Sequence, residues 1–470
     1  MELNKRQKKS LNLQGLFTEN THCGYIIVTN AEEVRNMKRR KKSIRRKRRR
    51  TLIGLMVMSF MVIGVVCVSV MGNPDTLTTS SESVFGTAGE SDSAETGGRI
   101  KIRDSEELDD AMLEPINDYF QTYFQAMANL ESTDITTLFA DPSSENAWIN
   151  QSAMDYLIQL RQSQSNDLQM IDYQCGLTVT SVDTESAEVE VLLLEDHIVN
   201  FAFIPDVDSS SSGIAHTFYL TETADGYVIT EHYKEEDSFL MLVEAIADSD
   251  DDPQDISDEL LSDALSVIEE LSWEKDDFNS GDWESWEAEA DNDYDAAAAV
   301  DYAMTWTDLI EVVRNDEYGI YDGYGGNCNN YISQCLFAGG IPMDSEGDNN
   351  SQWKWYGEDV NQDESESGRS PAWTGVEEFY SYASENEGYG LAAIVDDNVF
   401  SGSIGDVLQY GHNGEWLHSV IITDVIKDSD GNMADYLINS NTTDRINYPA
   451  SAYGYSELRL IKVLGWNDGE

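Results

Sequence analysis

The chain has 470 residues, too many for one ordinary core, and its 41% hydrophobic content suits globular structure in two or three domains. The formal charge is −59, yet residues 1–50 hold 16 Lys/Arg against 4 Asp/Glu, which leaves 13 basic and 84 acidic residues for the remainder. Such an acidic surface repels nucleic acid and anionic polymers at long range, so no nucleic-acid partner is expected and general solubility is the plain reading of the charge.

The basic head has a membrane reading. From Lys38 to Arg50, eleven of thirteen residues are Lys or Arg, and Leu52 to Met71 follows with no charge. Twenty apolar residues rise about 30 Å as a helix, the thickness of the bilayer hydrocarbon. The run is too long for the apolar part of a typical signal peptide, and no clear small-residue cleavage pattern follows it. Residues 1–50 therefore read as a cytoplasmic basic tail and 51–72 as a transmembrane helix. The positive side stays cytoplasmic, so the C-terminal domains are expected outside a cell membrane crossed once.

Residues 73–102 are rich in Ser, Thr, Gly, Asp and Glu with no apolar period, and read as a disordered linker with a reach of roughly 30 Å. Residues 103–245 read as a first folded unit. Helices are predicted over Ala111–Leu130 and Ser152–Leu160, followed by strands at 177–182, 187–194, 199–204, 215–221 and 227–233. Helices and then an antiparallel meander suggest a small α+β domain, in an order that resembles the cone-shaped nuclear-transport-factor-like folds. Its histidines, His197, His216 and His232, fall on or beside different strands and read as surface or packing residues. Residues 246–292 are strongly acidic, with one amphipathic helix expected at Leu260–Leu271, and read as a spacer that tethers the two folded units.

Residues 293–470 form the second unit. A helix is predicted over Ala296–Val313, a second from Cys328 to the Gly339-Gly340 stop, and a third over Val376–Ser384. Strands are predicted at 406–410, 418–425, 436–441 and 458–463. Of the five cysteines, Cys23 and Cys67 fall in the tail and the span, which leaves Cys175, Cys328 and Cys335 outside. Cys328 and Cys335 are two helical turns apart, about 10.5 Å, which is too far for a disulfide.

Chemistry gathers in this last unit. Gly325 and Gly326 allow a close backbone approach, and Asn327 is a plausible N-cap that sets Cys328 at a helix start. Cysteine attacks as the thiolate, which a helix N-terminus and a nearby imidazolium favour. Cys335 sits mid-helix among apolar residues and reads as structural. His418 opens an apolar strand with Val420 and Ile422 on the same face, a well-held place for a general base. A third polar residue should orient the imidazole, and the next strand offers Asn441 or, alternatively, Asn439. The run Asp428-Ser429-Asp430-Gly431-Asn432 has the start of a calcium loop but lacks the later Glu, so it reads as a hairpin turn. No metal or cofactor is expected.

Several motifs occur in order: Tyr294-Asp295-Ala296-Ala297-Ala298-Ala299-Val300-Asp301-Tyr302-Ala303, then GGNCNNYISQCLFAGGIPM around Cys328, Ser370-Pro371-Ala372-Trp373-Thr374-Gly375-Val376, Gly405-Asp406-Val407-Leu408-Gln409-Tyr410, and His418-Ser419-Val420. Together they resemble the bacterial putative amidase domain family of the NlpC/P60-like, CHAP-related cysteine peptidase superfamily, over residues 293–466. The resemblance implies a papain-like α+β fold with Cys328 as nucleophile, His418 as base and Asp406 as a turn and packing residue. The family usually carries Asp before the cysteine and Thr after it, where this chain has Asn327 and Asn329. It often carries His-Thr in the later strand, where this chain has Asn441-Thr442. The resulting expectation is a membrane-anchored, extracytoplasmic cysteine amide hydrolase acting on peptidoglycan peptides. Its rivals are a peptidase that processes an exported peptide, and a silent wall-binding protein with Trp353, Trp355, Trp373 and Trp416 lining a recognition groove. Nothing in the sequence sets an oligomeric state.

Overall fold

A computed structural model describes residues 98–106, 108–281, 283, 286, 288–308, 312–322, 326–357 and 368–469. The basic tail, the span at 51–72, the linker up to residue 97 and Gly325 lie outside the described residues. Among the described residues no helix is long and apolar enough to cross a membrane.

The first folded part opens with a short strand, β1 (Arg99–Arg103), and two helices, α1 (Asp110–Asn129) and α2 (Glu145–Gln162). Asp109 and Ser144 cap them by accepting from Met112 N and Ala147 N. Ile116, Tyr119, Phe120, Phe124 and Met127 form the buried stripe of α1. It covers a meander of β2 (Met170–Asp183), β3 (Val189–Phe201), β4 (Ser209–Thr223) and β5 (Gly226–Lys234), with β1 parallel on the outer edge of β2. The two strands expected at 187–194 and 199–204 are one strand. Glu195-Asp196 reads as a polar break in sequence, but both carboxylates are buried inside β3.

The acidic segment is packed. Helix α3 (Asp237–Asp248) precedes α4 (Pro253–Ser280), far longer than the Leu260–Leu271 expectation. Ile256, Leu260, Ala264 and Ile268 repeat every four residues and are buried, and Ala264 and Ile268 cluster with Tyr156 and Leu160 of α2 and Met241 of α3. The far end of α4 is fastened to the C-terminal part: Asn279 exchanges two hydrogen bonds with the Met433 backbone, at 3.0 and 2.8 Å. Val399 N donates to the Glu274 carboxylate at 2.6 Å. The segment read as a tether is a strut across both parts, with most of its acidic residues exposed and Glu274 turned to the C-terminal part.

The C-terminal part contains helices α5 (Ala296–Thr305), α6 (Cys328–Ala338), α7 (Pro371–Thr374) and α8 (Val376–Glu385). Its strands are β6 (Gly390–Val395), β7 (Val407–His412), β8 (Glu415–Lys427), β9 (Met433–Ser440), β10 (Asp444–Pro449) and β11 (Glu457–Asn467). Helix α5 stops well short of the expected Val313, and β6 and β10 carry no expectation from the sequence. The strands of both parts form a single mostly antiparallel sheet in the order β1-β2-β3-β4-β10-β9-β8-β7-β11-β6, with β5 also on β4. The seam is β10 against β4, where Asp444, Arg445 and Ile446 face Ser212, Ser211 and Ser210. Gly213, at φ 78°, bends β4 just beyond that seam, so the same edge serves β10 first and β5 afterwards. The result is an α+β fold whose two parts share one sheet and one large core.

The two faces of β8 go to different cores. Val420 and Ile422 join the large core with Tyr410, Tyr436 and Tyr453. Ile421 joins Val407, Ile461 and the buried residues of α5 and α6. This alternation decides which way His418 and Ser419 point.

Candidate active site

Helix α6 is fixed from all sides. Tyr331, Ile332, Cys335 and Leu336 are fully buried, and Cys335 is one of them, as its mid-helix position implied. Both thiols are free. Gly326 enters the helix at φ 115°, a conformation in which a side chain is strained. Asn327 stands at the N-cap position, but its side chain does not cap the helix. Its Oδ1 accepts from Tyr321 N at 3.2 Å and from Asn330 Nδ2 at 2.9 Å, and its Nδ2 donates to Asn441 Oδ1 at 3.2 Å. Asn329 bridges to the sheet: its amide donates to Ala372 O at 3.1 Å, and its Oδ1 accepts from Ser419 Oγ at 3.0 Å. The two asparagines that depart from the family pattern thus hold the helix start in place.

Because Asn327 is occupied elsewhere, the first N–H groups of the helix face the Cys328 sulfur. Burial pushes the thiol up to about 11, while the backbone N–H groups of Ser419, Asn329 and Cys328 itself act in the opposite sense by favouring the thiolate. Burial wins: Cys328 is only 5% exposed. The low thiol pKa expected from a helix start is therefore absent in this closed arrangement. Cys335, deeper still, is pushed well above its ordinary value by burial.

The Ser419 N–H that meets the sulfur belongs to the residue after His418. His418 is 8% exposed, and its ring lies 5.5 Å from that of Tyr453. Tyr453 stacks on Tyr410 at 4.2 Å and carries the Arg445 guanidinium 4.0 Å from its ring centre. Burial, and then the Arg445 charge, push His418 down to about 3, so the imidazole is neutral. Its Nε2 is buried with no hydrogen-bond partner among the described residues.

Neither candidate orienting residue takes that role here. Asn439 Oδ1 accepts from Asn447 N at 3.0 Å, and its Nδ2 donates to Thr307 Oγ1 at 3.1 Å. Asn441 Oδ1 serves Asn327. Among the described residues no hydrogen bond joins either asparagine to His418. They brace the Cys328 helix and the β9–β10 turn instead. In that turn Thr442 and Thr443 both have positive φ, 68° and 56°, which is costly for β-branched residues. Thr442 Oγ1 accepts from Asn327 N and donates to Asp322. Arg314, buried between Asp322 and Asp444 at 2.8 Å from each, clamps the turn to the loop before α6. Tyr453 and Arg445, which do border His418, had no signal in the sequence: one lies in a loop, and the other followed an unpredicted turn.

The remaining candidates fall into place. Trp353 and Trp373 are fully buried, 5.0 Å apart, and donate to Ser333 Oγ and Asn330 Oδ1, so they cannot line a recognition groove. Asp406 is buried and accepts from Ser403 N and Val463 N at 2.8 and 2.7 Å, in keeping with a turn and packing residue. Asp428 to Asn432 closes the turn between β8 and β9. Of the histidines of the first part, His216 and His232 are packing residues, buried with their rings 2.9 Å apart at the nearest nitrogens, and His197 is part-buried.

The family model described as "Putative amidase domain" matches residues 293–463, the stretch that holds Cys328, His418 and both asparagines. The uncharacterized protein YhbB of Bacillus subtilis (strain 168) is 33% identical over 153 residues, which is 32% of this chain and 42% of the relative. The chain thus spans less than half the length of that relative. No solved structure matches. The family match supports an amidase domain over residues 293–463, and that domain suggests a hydrolase.

Proposed function

We propose that the C-terminal part is a cysteine amide hydrolase of papain-like, NlpC/P60-type architecture, held outside a cell membrane by the apolar span at 51–72. The observation that carries this reading is the convergence of a helix-start thiol, Cys328, on the N–H of Ser419, next to an imidazole with an unpartnered buried nitrogen. His418 Nε2 takes the thiol proton as Sγ attacks the amide carbonyl carbon, and passes it to the leaving amine as the C–N bond breaks. Water then attacks the thioester with His418 as base, releasing a carboxylate and restoring the thiol. The N–H groups at the start of α6 are suited to the oxyanion. Peptide amide bonds of peptidoglycan are the proposed substrate, because an anchor and linker favour an immobile target near the membrane.

The resting site is closed, with a protonated thiol and a neutral imidazole. Substrate entry has to bring polar groups to this site before the thiol reacts. The silent-groove reading loses support from the burial of Trp353 and Trp373. The test is digestion of purified peptidoglycan by the full chain, run beside a peptide library. Release of new amine termini from peptidoglycan by wild type and Cys335→Ala, but not by Cys328→Ala, is the expected result. Cleavage of library peptides alone would point to peptide processing, and undiminished cleavage by Cys328→Ala would sink the mechanism.

A further inference from the structure

The first folded part holds a partly open cavity of about 60 Å³ between α1, α2 and the meander, and the seam strand β10 forms one side of it. A buried water needs roughly 10–15 Å³ by this measure, so the space holds about four to six non-hydrogen atoms. The cavity is walled by charge. Glu195, in mid-strand, accepts from His197 Nδ1 at 2.6 Å and His216 Nε2 at 3.0 Å. Glu236 accepts from Ser238 N and Phe239 N at 3.1 and 3.2 Å and faces Lys234 Nζ at 3.3 Å. The carboxylates in the wall are therefore supplied with donors.

The donors on the other side are not all supplied with acceptors. Arg161 donates to Tyr448 Oη at 2.9 Å and to Ala452 O, and Arg445 lies over the Tyr448 ring at 5.6 Å, so two guanidiniums meet one tyrosine. Arg445 reaches Asp237 and Tyr453 with its terminal nitrogens, but its buried Nε has no partner among the described residues. Directly opposite Arg445 in the β10–β4 register stands Ser211, 1% exposed, whose Oγ is also unpartnered. Buried polar groups are normally satisfied, and here the unmet ones in the cavity wall are a guanidinium N–H of Arg445 and the Ser211 hydroxyl, both able to donate. The missing group is an acceptor.

We propose that this cavity is a binding site for a small monocarboxylate, held by Arg161, Arg445 and Ser211. Planar, two-oxygen acceptors suit guanidinium donors, and the volume admits acetate or glycine and excludes longer acids. The cavity is lined by neither Cys328 nor His418, although Arg445 borders both it and His418, and acetate binding is read by titration and not by amide cleavage, so its failure leaves the hydrolase reading untouched.

The test is isothermal titration of the full-length chain with sodium acetate at constant ionic strength, with sodium chloride and sodium hexanoate as comparisons. One saturable acetate site is expected, with hexanoate binding at least tenfold more weakly and chloride producing no saturation. Ser211→Ala should weaken acetate about tenfold without lowering the stability of the empty protein, because it deletes an unpaired hydroxyl. Arg161→Met should weaken it further, and Ser210→Ala, on the opposite side of β4, should not change it. Absence of a saturable acetate site overturns the proposal, as does equal uptake of chloride. Acetate affinity unchanged in Ser211→Ala does the same, whether or not the Arg161 variant folds.

Discussion

Buried histidines occupy both parts of this molecule, and they are treated in opposite ways. In the first part, every ring nitrogen of His216 and His232 faces a polar partner: Glu195 Oε2 and His216 Nε2 at 3.0 Å, His216 Nδ1 and His232 Nε2 at 2.9 Å, and His232 Nδ1 and Asn150 Oδ1 at 2.8 Å. Tyr119 Oη also donates to Asn150 Oδ1 at 3.0 Å. In the second part, His418 is equally buried, yet its Nε2 is left without a partner. A fully partnered ring fixes structure, whereas the unpartnered nitrogen of His418 is what the proposed mechanism asks of a base. Burial alone does not distinguish the two; the hydrogen-bond partners do.

The largest effect that tests this contrast is on activity. Cys328→Ala and His418→Ala should each lower the rate of amide cleavage by at least about 10³-fold, since nucleophile and base act as a unit. His232→Ala, measured per folded molecule, should leave the rate within about twofold of wild type. Rates of amine release with a fixed substrate check all three. Comparable losses in His232→Ala and His418→Ala would erase the distinction between the two regions.

Stability should show the reverse order. His232→Ala strands His216 Nδ1, leaves Asn150 Oδ1 with Tyr119 alone and opens a cavity, for a cost of about 3–5 kcal/mol. His418→Gln strands no recorded partner and should cost less than about 1 kcal/mol. Urea unfolding at pH 7.5 with unchanged slopes gives both numbers.

The pH dependence separates the groups further. Burial holds His418 down to about 3 and His216 and His232 below their ordinary value, so these three groups bind fewer protons in the folded chain than in the unfolded one below pH 6.5. Their contribution to stability is present in full above that pH and is lost as pH falls toward 3, against the opposite contribution of buried carboxylates such as Asp406, which burial raises to about 7. His418→Gln should move the acid unfolding midpoint to lower pH. At the alkaline end Cys328 is raised from 9.0 to about 11, so the unfolded thiol ionises first and stability falls between those values. The loss is on the order of 3 kcal/mol, and Cys328→Ala should remove it. Thermal midpoints across pH 3–11 record both limbs.

Much of the candidate site was legible because it rests on local grammar. The glycine before Cys328, the i, i+4 burial of Tyr331, Ile332, Cys335 and Leu336, and the alternation of His418, Val420 and Ile422 can each be read within a few residues. What depends on distant partners could not be read. The Glu195-Asp196 pair looked like a strand end because charges seldom lie inside a strand, and only the imidazoles of His197 and His216 make Glu195 acceptable there. The acidic run at 246–292 looked like a spacer with one short helix, although four apolar residues at helical spacing were enough to dock the much longer α4. The role of Asn441 was inferred from its strand, but its side chain answers to Asn327, 114 positions earlier. The seam of β10 with β4 joins segments more than two hundred residues apart, and no period or motif announces it.

The smallest predicted effect concerns strain. Thr442 and Thr443 both adopt left-handed backbone beside the candidate site, a conformation that costs roughly 1–2 kcal/mol per residue outside glycine. Thr443 has little to hold it there, since its carbonyl meets Arg445 only at 3.5 Å. Thr443→Gly should therefore stabilise the protein by about 1 kcal/mol, after the greater freedom of glycine in the unfolded chain is counted. Thr442 is different, because its hydroxyl binds the Asn327 N–H and Asp322. Thr442→Gly removes those contacts along with the strain, so it should gain no stability and should slow amide cleavage by loosening the start of α6. A pair of unfolding curves and a pair of rates decide the matter. If the two glycine variants behave alike, the strain in this turn is unrelated to positioning Cys328, and the second region loses one of the features that set it apart from the first.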